Sequence, residues 1–354
     1  MESTLVRSCR MSRVLQKQWF LLSLVALIAT GLWLGAHVDG EIRQAVNRVI
    51  HPRAITAIVL FLMAFSLDSH HLKQSFRSPK PVLWGALVNY GLIPLLGWSL
   101  LPLQQSEDFR IGLMIAASVP CTLAAASVWT RKAGGNDAVS LLITIATNAA
   151  CFLVTPLWLE LTIGGDVQLP LPIMMMQLIL SVLLPTALGQ IVRQNMAAER
   201  FAVRHKTPIG VAAQCFILSM VFTAALDAGE RIHATAAGTT ILGVAIVWGS
   251  VVLLHVIGLA VALIGSRKLG FARGDCAAVA FAGSQKTLPV GVLIATDRTM
   301  FGNPDLLGPG MGAPFAVFPI LMYHASQLFI DTAIADRLAA GARREQDSQD
   351  SQEL

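Results

Sequence analysis

A chain of 354 residues that is 55% hydrophobic and only 13% charged, with a mean hydropathy of +0.64, is not an ordinary soluble domain, which would carry about twice that charged fraction. Its net charge of +5 is spread over loops between apolar runs, so it reads as a topology signal and nucleic acid is not an expected partner. Five scattered cysteines without CxxC or Cys/His spacing give no disulfide framework and no transition-metal site.

Ten runs of about 20 apolar residues recur along the chain, the length that crosses a hydrocarbon core ~30 Å thick. Residues 1–18 are predicted as a basic cytoplasmic N-tail, with Arg7, Arg10, Arg13 and Lys17 ahead of a first span at 19–38. That pattern resembles a secretory signal. No small-x-small cleavage site is evident and nine further spans follow, so the segment is read as a retained helix. Spans two and three are expected at 53–68 and 82–103, the third carrying Asn89 five residues before Pro94.

Span four, 110–129, breaks at "ASVPCTLAAASVWTRKAGGN", with Pro120 at mid-span and Ser127 and Thr130 after the break. In span five, 137–162, Ser140, Thr144, Thr147 and Asn148 share one helical face. Spans six to eight are placed at 171–193, 208–226 and 240–264, the eighth containing His255. Span nine, 275–295, breaks at "GSQKTLPVG" and exposes Ser284, Gln285, Lys286 and Thr287 to the membrane interior, with Pro289 beyond. The stretch "GPGMGAP" at 308–314 follows no strand and is read as a turn rather than a phosphate loop. Span ten, 312–334, carries His324, and 338–354 is expected to be a disordered cytoplasmic C-tail. The transmembrane domain is thus 19–337.

Inside segments on this layout hold nineteen Lys and Arg residues against six outside. The positive-inside rule then makes both termini cytoplasmic in a multi-pass protein of the cell membrane. Ten spans divide into two halves of five, and an odd number obliges the halves to insert with opposite orientation. Each half has its interrupted helix in the fourth place. Inverted repeats with discontinuous helices at matching places point to a transporter site at the bilayer midplane. The predicted fold class is therefore an all-α membrane protein of ten helices in two inverted five-helix repeats, with crossed broken helices at spans four and nine.

Enzyme chemistry finds no support. Asp68, Asp137, Glu160, Asp227 and Asp331 all fall near predicted span ends, leaving no paired carboxylates for acid–base work and no HExxH-type ligand set. The two histidines are read first as satisfied packing or interhelical residues rather than ligands. A channel or a non-transporting regulatory membrane protein is the alternative from another class.

Several stretches are similar to the bile acid:sodium symporter family, in the branch around the seventh member of solute carrier family 10. These are "FLMAFSLDSHHLKQSFRSPKPVLWGALVNYGLIP", "AGGNDAVSLLITIATNAACFLVTPLW", "VVLLHVIG" and "YHASQL", together with the "GGN" after span four and the Gln-Lys-Thr-Leu run in span nine. The resemblance covers about residues 15–337. It implies a panel of spans 1, 2, 6 and 7, a core of spans 3–5 and 8–10, symport of an organic anion by alternating access, and sodium as the coupling ion. It also implies sodium ligands position by position. Asn89 falls on a glutamine ligand, Ser127 on an asparagine, Ser140 and Thr144 on hydroxyl ligands, and Gln285 on the span-nine glutamine. The span-nine glutamate that serves both sodium ions aligns with Phe281, and the asparagine after it with Lys286. No other cofactor is implied.

Lys286 is the departure that matters. A lysine at mid-membrane costs ~2.5–3.5 kcal/mol on insertion scales and is rare without a use. Two roles fit. It is a fixed internal cation replacing one sodium, its three donors held by Asn89, Ser140, Thr144 and Gln285, or it faces the cavity between core and panel and pairs with an anionic substrate. Ser284, Thr287, Asn148 and His324 are the further candidates for coupling or substrate contact. Because desolvation favours a neutral amine, Lys286 also offers a route to proton-linked rather than sodium-linked transport.

Overall fold

The computed structural model describes residues 2–38, 40–68, 79–165, 169–234, 240–303, 305–307 and 312–350, and all regular structure among them is helical. In chain order the helices are α1 (Glu2–His37), α2 (Gly40–Val49), α3 (Pro52–Ser66), α4 (Pro79–Leu103), α5 (Glu107–Ser118), α6 (Ala125–Lys132), α7 (Asp137–Ile163) and α8 (Leu171–Arg193). They continue with α9 (Met196–Arg204), α10 (Lys206–Ala234), α11 (Ile241–Lys268), α12 (Arg273–Ser284), α13 (Leu288–Thr296) and α14 (Val317–Asp350). The Gly308–Met311 part of the glycine-rich stretch and residues 69–78 of the second-to-third span motif lie outside the described residues.

Seven helical segments among the described residues are long and apolar enough to cross a bilayer: α4, α7, α8, α10 to Glu230, α11, the α12–α13 pair, and α14 with its lead-in from Pro314 to Gly341. Three of the ten expected spans fall short of that length. Leu22–His37 and Pro52–Ser66 are shorter apolar helices, and span four is two pieces of 12 and 8 residues.

Both tails differ from expectation in form. The basic stretch at the N-terminus is the start of α1, which begins at Glu2. The polar stretch from 338 is helical as far as Asp350, where a disordered tail was expected, and residues 351–354 lie outside the described set. The reason is that Ala, Arg, Glu and Gln are good helix formers, and a helix already nucleated in the membrane can extend without meeting the nucleation cost again.

The helices fall into two groups that meet where α8 packs on α7 and where α13 packs on α3 and α10. In one, α1 runs along α10, and α3 packs on both α8 and α10. Gly31 and Gly35 make the α1–α10 contact close: a Cβ on Gly35 would stand 2.0 Å from the Leu226 carbonyl oxygen, the small-xxx-small packing of membrane helices. In the other group α12 touches α4, α6, α7 and α11, while α14 touches α5, α6, α11 and α13. Every residue from Cys276 to Ala295 is buried, so the broken α12–α13 pair is the centre of the molecule. It also reaches the first group, where α13 packs on α3 and α10.

Candidate functional site at the two helix breaks

Each break has a local cause. The residue before a proline is disfavoured in the α region, and Val119, ahead of Pro120, is extended at φ −66°, ψ 156°, ending α5. Beyond α12, Gln285 and Thr287 are extended in turn, and Pro289 sits in the first turn of α13, where its missing N–H costs nothing. The two breaks are bonded to each other: Thr287 N–H donates to the Pro120 carbonyl at 2.9 Å. A second tie forms at the "GGN" motif. Gly134 takes the left-handed φ of +70° that ends α6, Asn136 N–H donates to Gly274 O at 2.8 Å, and Asn136 Nδ2 donates to Asp275 Oδ1 at 2.8 Å. The end of span four is thereby joined to the start of span nine.

Lys286 is 2% exposed and its ammonium is filled. Nζ donates to Asn89 O at 2.7 Å, Asn89 Oδ1 at 3.1 Å and Val119 O at 2.9 Å, and it stands 5.6 Å from the centre of the Tyr90 ring. All three acceptors are neutral. The backbone of Lys286 is gripped as well, donating to Gln327 Oε1 at 2.9 Å and accepting from Gln327 Nε2 at 3.0 Å.

The Asn89 carbonyl is available because span three is irregular there. Residues Val88–Leu92 form one π-helical turn in which Ile93 N–H donates to Val88 O, a turn type common at functional sites. Pro94, five residues after Asn89, has no N–H to offer in its place. Pro94 also deprives Tyr90 O of its α-helical donor, and Trp158 Nε1 fills that gap at 2.7 Å. Asn89 Nδ2 meanwhile donates to Gln285 O at 2.9 Å and Gly283 O at 3.3 Å. The amide thus holds the carbonyls of one break while its oxygens hold the lysine of the same break.

The other expected site residues lie near the breaks but do not hold the ammonium. Gln285 uses Nε2 on Asp331 Oδ2 at 2.6 Å, and Thr144 Oγ1 donates to Ser140 O in its own helix at 2.9 Å. Asn148 Nδ2 donates to Cys121 O at 2.9 Å and Cys121 N–H to Thr147 Oγ1 at 3.3 Å, so this face of α7 secures the span-four break. Ser284 Oγ donates to Ala280 O at 2.8 Å. Ser127 is buried near the start of α6. Buried oxygens without a partner remain at Ser140 Oγ, Asn148 Oδ1, Thr130 Oγ1 and Gln285 Oε1. With Lys286 buried and its three donors occupied by protein oxygens, it does not present an ammonium to a cavity.

Asp331 corrects the reading that acids sit only at span ends. It is fully buried, accepting from Gln285 on one oxygen and lying 2.9 Å from His255 Nε2 on the other. His255, read as packing, is therefore part of a polar network. Its Nδ1 lies 3.3 Å from Ser284 O, an oxygen that also accepts from Tyr323 Oη at 2.8 Å. On α14, Gln327 Nε2 meets His324 Nδ1 at 2.9 Å, and the His324 ring meets Phe20 of α1 edge-on at 6.2 Å. Neither Gln327 nor Asp331 was singled out from the sequence. His324, Gln327 and Asp331 follow i, i+3, i+7 spacing, one helical face, and that pattern was the available signal.

A second cation lies at the far end of α13. Arg53, in the first turn of α3, donates through Nε and Nη2 to Asp297, the latter to Oδ1 at 2.8 Å, and Nη2 also reaches Thr299 Oγ1 at 2.8 Å. Burial alone would raise the Asp297 carboxyl, but the hydrogen bonds from Arg53 and Thr299 outweigh it and hold the group below its ordinary value.

Relatives match the chain over most of its length. The chain is 23% identical over 333 residues to sodium/bile acid cotransporter 7 of Xenopus tropicalis, covering 90% of this chain and 91% of that protein. It is 22% identical over 330 residues to sodium/bile acid cotransporter 7 of Rattus norvegicus, covering 92% and 93%. Over 242 residues it is 26% identical to the probable sodium/metabolite cotransporter BASS4, chloroplastic, of Arabidopsis thaliana, covering 66% and 53%. These similar proteins are named as cotransporters, not as enzymes. The pattern of the SBF-like CPA transporter family matches residues 18–340, and the chain belongs to that family.

Proposed function

We propose that this protein is a secondary active transporter of an organic anion, working by alternating access around the paired helix breaks, with sodium coupling reduced from the two ions of the better-known symporters. The observation that carries the reading is the coordination of Lys286: an ammonium with three neutral oxygen acceptors, one of them the Val119 carbonyl released by the span-four break. Carbonyl and amide oxygens at a helix break are the ligands a transporter offers to a coupling ion. Here a tethered cation takes that place, in a span where the resemblance sets Phe281 at the position of a sodium-binding carboxylate. Lys286 is then a fixed internal charge.

In the same reading the ten helices form two inverted repeats in the cell membrane with both termini inside. The α1, α3, α8, α10 group acts as panel, and the group around α12 and α13 as the core that moves against it. The extensive α1–α10, α3–α8 and α3–α10 contacts within the first group support that division. Ser140 Oγ, Asn148 Oδ1, Thr130 Oγ1 and Gln285 Oε1, buried and without a partner, are neutral, hard oxygens of the kind a sodium ion takes. The names of the similar cotransporters supply bile acids as the first anions to try.

The test is uptake into proteoliposomes of a panel of labelled organic anions, taurocholate among them, with sodium and proton gradients imposed independently. Saturable, gradient-driven accumulation of at least one anion is expected. A conductance without saturation, or no flux of any anion under any gradient, would replace this reading with a channel or a regulatory protein.

A further inference from the structure

Between the expected spans 19–38 and 53–68 the chain forms a further helix, α2 (Gly40–Val49). Its sequence, GEIRQAVNRV, sets Ile42, Ala45, Val46 and Val49 at i, i+3, i+4 and i+7, one stripe of a helix. The positions among them, Glu41, Arg43, Gln44, Asn47 and Arg48, are all polar. In a soluble protein such a stripe is turned into the core. Here much of it is open: Ile42 is 57% and Val49 83% exposed, and Ala45 is exposed too. Val46 is half-buried, α2 touches α10, and Ile50 beyond its end packs against the main core.

What meets the open part of the stripe follows from where the helix lies. It stands between two apolar helices, one ending at His37 and the other beginning at Pro52. The His37 ring stacks on Trp33, which is exposed, with ring centres 4.9 Å apart. Tryptophan at the end of an apolar helix marks the membrane–water boundary. Trp33 on α1 and Ile58 on α3 are large apolar side chains left open on the flanking helices, so the stripe of α2 continues the surface that those helices give to hydrocarbon. Charge agrees with a phospholipid surface, since Arg43 and Arg48 outnumber Glu41 on the polar positions. A helix this short is marginal in water on its own, and a boundary between headgroups and acyl chains supplies the surface it lacks.

We propose that α2 is an interfacial helix. It lies in the plane of the bilayer, with Ile42, Ala45 and Val49 set about 5–10 Å into the boundary between headgroups and acyl chains, and its partner is the phospholipid of that leaflet. Only Ile50 and His51 separate α2 from α3. The anchor therefore also fixes the level of Arg53, in the first turn of α3, and of its bond to Asp297.

The test uses the full-length protein in vesicles of phosphatidylcholine and phosphatidylglycerol, with Cys9→Ser and Cys215→Ser removing two native thiols, the second of them exposed. Nitroxides attached through Ile42→Cys, Val49→Cys and Asn47→Cys report collisions with oxygen, which concentrates in acyl chains, and with a water-soluble nickel chelate. Oxygen should dominate at 42 and 49 and nickel at 47, a reversal across one short helix. Ala45→Cys serves if either stripe variant does not fold. Nickel dominating at all three positions would place α2 in water, and oxygen dominating at all three would sink it in the hydrocarbon. Shielding from both reagents at 42 and 49 would mean that protein covers the stripe, a second copy if dilution with unlabelled chain restores the collisions. Each of these results overturns the proposal.

Discussion

Two cations bridge distant parts of this chain, and they are satisfied in opposite ways. Arg53 at the end of the helix bundle meets a carboxylate and a hydroxyl, and its side chain is 31% exposed. Lys286 at the centre is 2% exposed and meets three neutral oxygens. At the rim, water reaches Arg53, while Asp297, itself 3% exposed, is solvated by Arg53 and Thr299. In the interior a charge must be solvated by the protein itself, and two irregular helices do this with carbonyls that regular helices would have used. Arg53 is placed to fasten α3 to the end of α13. Lys286 is placed to tie spans three, four and nine to one point.

The largest effect expected from that contrast is at Lys286. Lys286→Ala strips the donors from Asn89 O, Asn89 Oδ1 and Val119 O, each a buried acceptor worth about 1–3 kcal/mol when left unmet. Transport in proteoliposomes should fall at least a hundredfold. Lys286→Arg should not restore it, because a planar guanidinium cannot address three acceptors converging on one point. Full activity in either variant would remove the lysine from the mechanism.

A smaller loss is expected at the rim. Arg53→Gln should lower thermal stability by about 1–2 kcal/mol, between the values for exposed and buried pairs. It should also raise labelling of a cysteine placed at Asn303, beside the loosened α13 end, by an impermeant reagent from outside; labelling from inside would overturn the proposed topology. Rising salt should shrink the Arg53→Gln effect on stability and leave the Lys286→Ala effect unchanged, since Arg53 is open to solvent ions and Lys286 is not.

The rim pair also has a pH signature. The Asp297 carboxyl is held below its ordinary value, so its contribution is complete above the unfolded value of about 4 and disappears as pH falls through the lower folded value. Melting curves of wild type and Arg53→Gln should differ by a constant amount from pH 8 to pH 5 and converge below about pH 4. Convergence already near pH 6 would contradict this account of the pair.

The smallest effect tests the carbonyl logic on its own. Trp158→Phe leaves Tyr90 O without the donor that replaces Pro94's missing N–H, at a cost of about 1 kcal/mol. Spared transport with a slightly lower melting temperature is expected; loss of transport would mean that this carbonyl belongs to the coupling machinery too.

The sequence shows where the helices break and which side chains surround the breaks, because Pro120, Pro289 and the polar run from Ser284 to Thr287 stand out against apolar surroundings. Asn89 was legible from its distance to Pro94. Val119 was not, since a main-chain carbonyl carries no residue-type signal and becomes a ligand only when its helix stops. Ser140, Thr144 and Gln285 have the chemistry to hold an ammonium, yet Thr144 turns back to its own helix and Gln285 turns to Asp331. Asp331 was set aside as a span-end acid because hydropathy closed the last span at 334, whereas the helix runs on to Asp350 and leaves that acid well inside it.

The central claim is that Lys286 stands where a second coupling ion would otherwise bind. Equilibrium binding of radioactive sodium to the purified protein, wild type against Lys286→Asn, tests it most directly. One ion per chain is expected for wild type, with a gain toward two when the ammonium is replaced by a neutral amide. Two ions bound cooperatively by wild type, unchanged by the substitution, would contradict it.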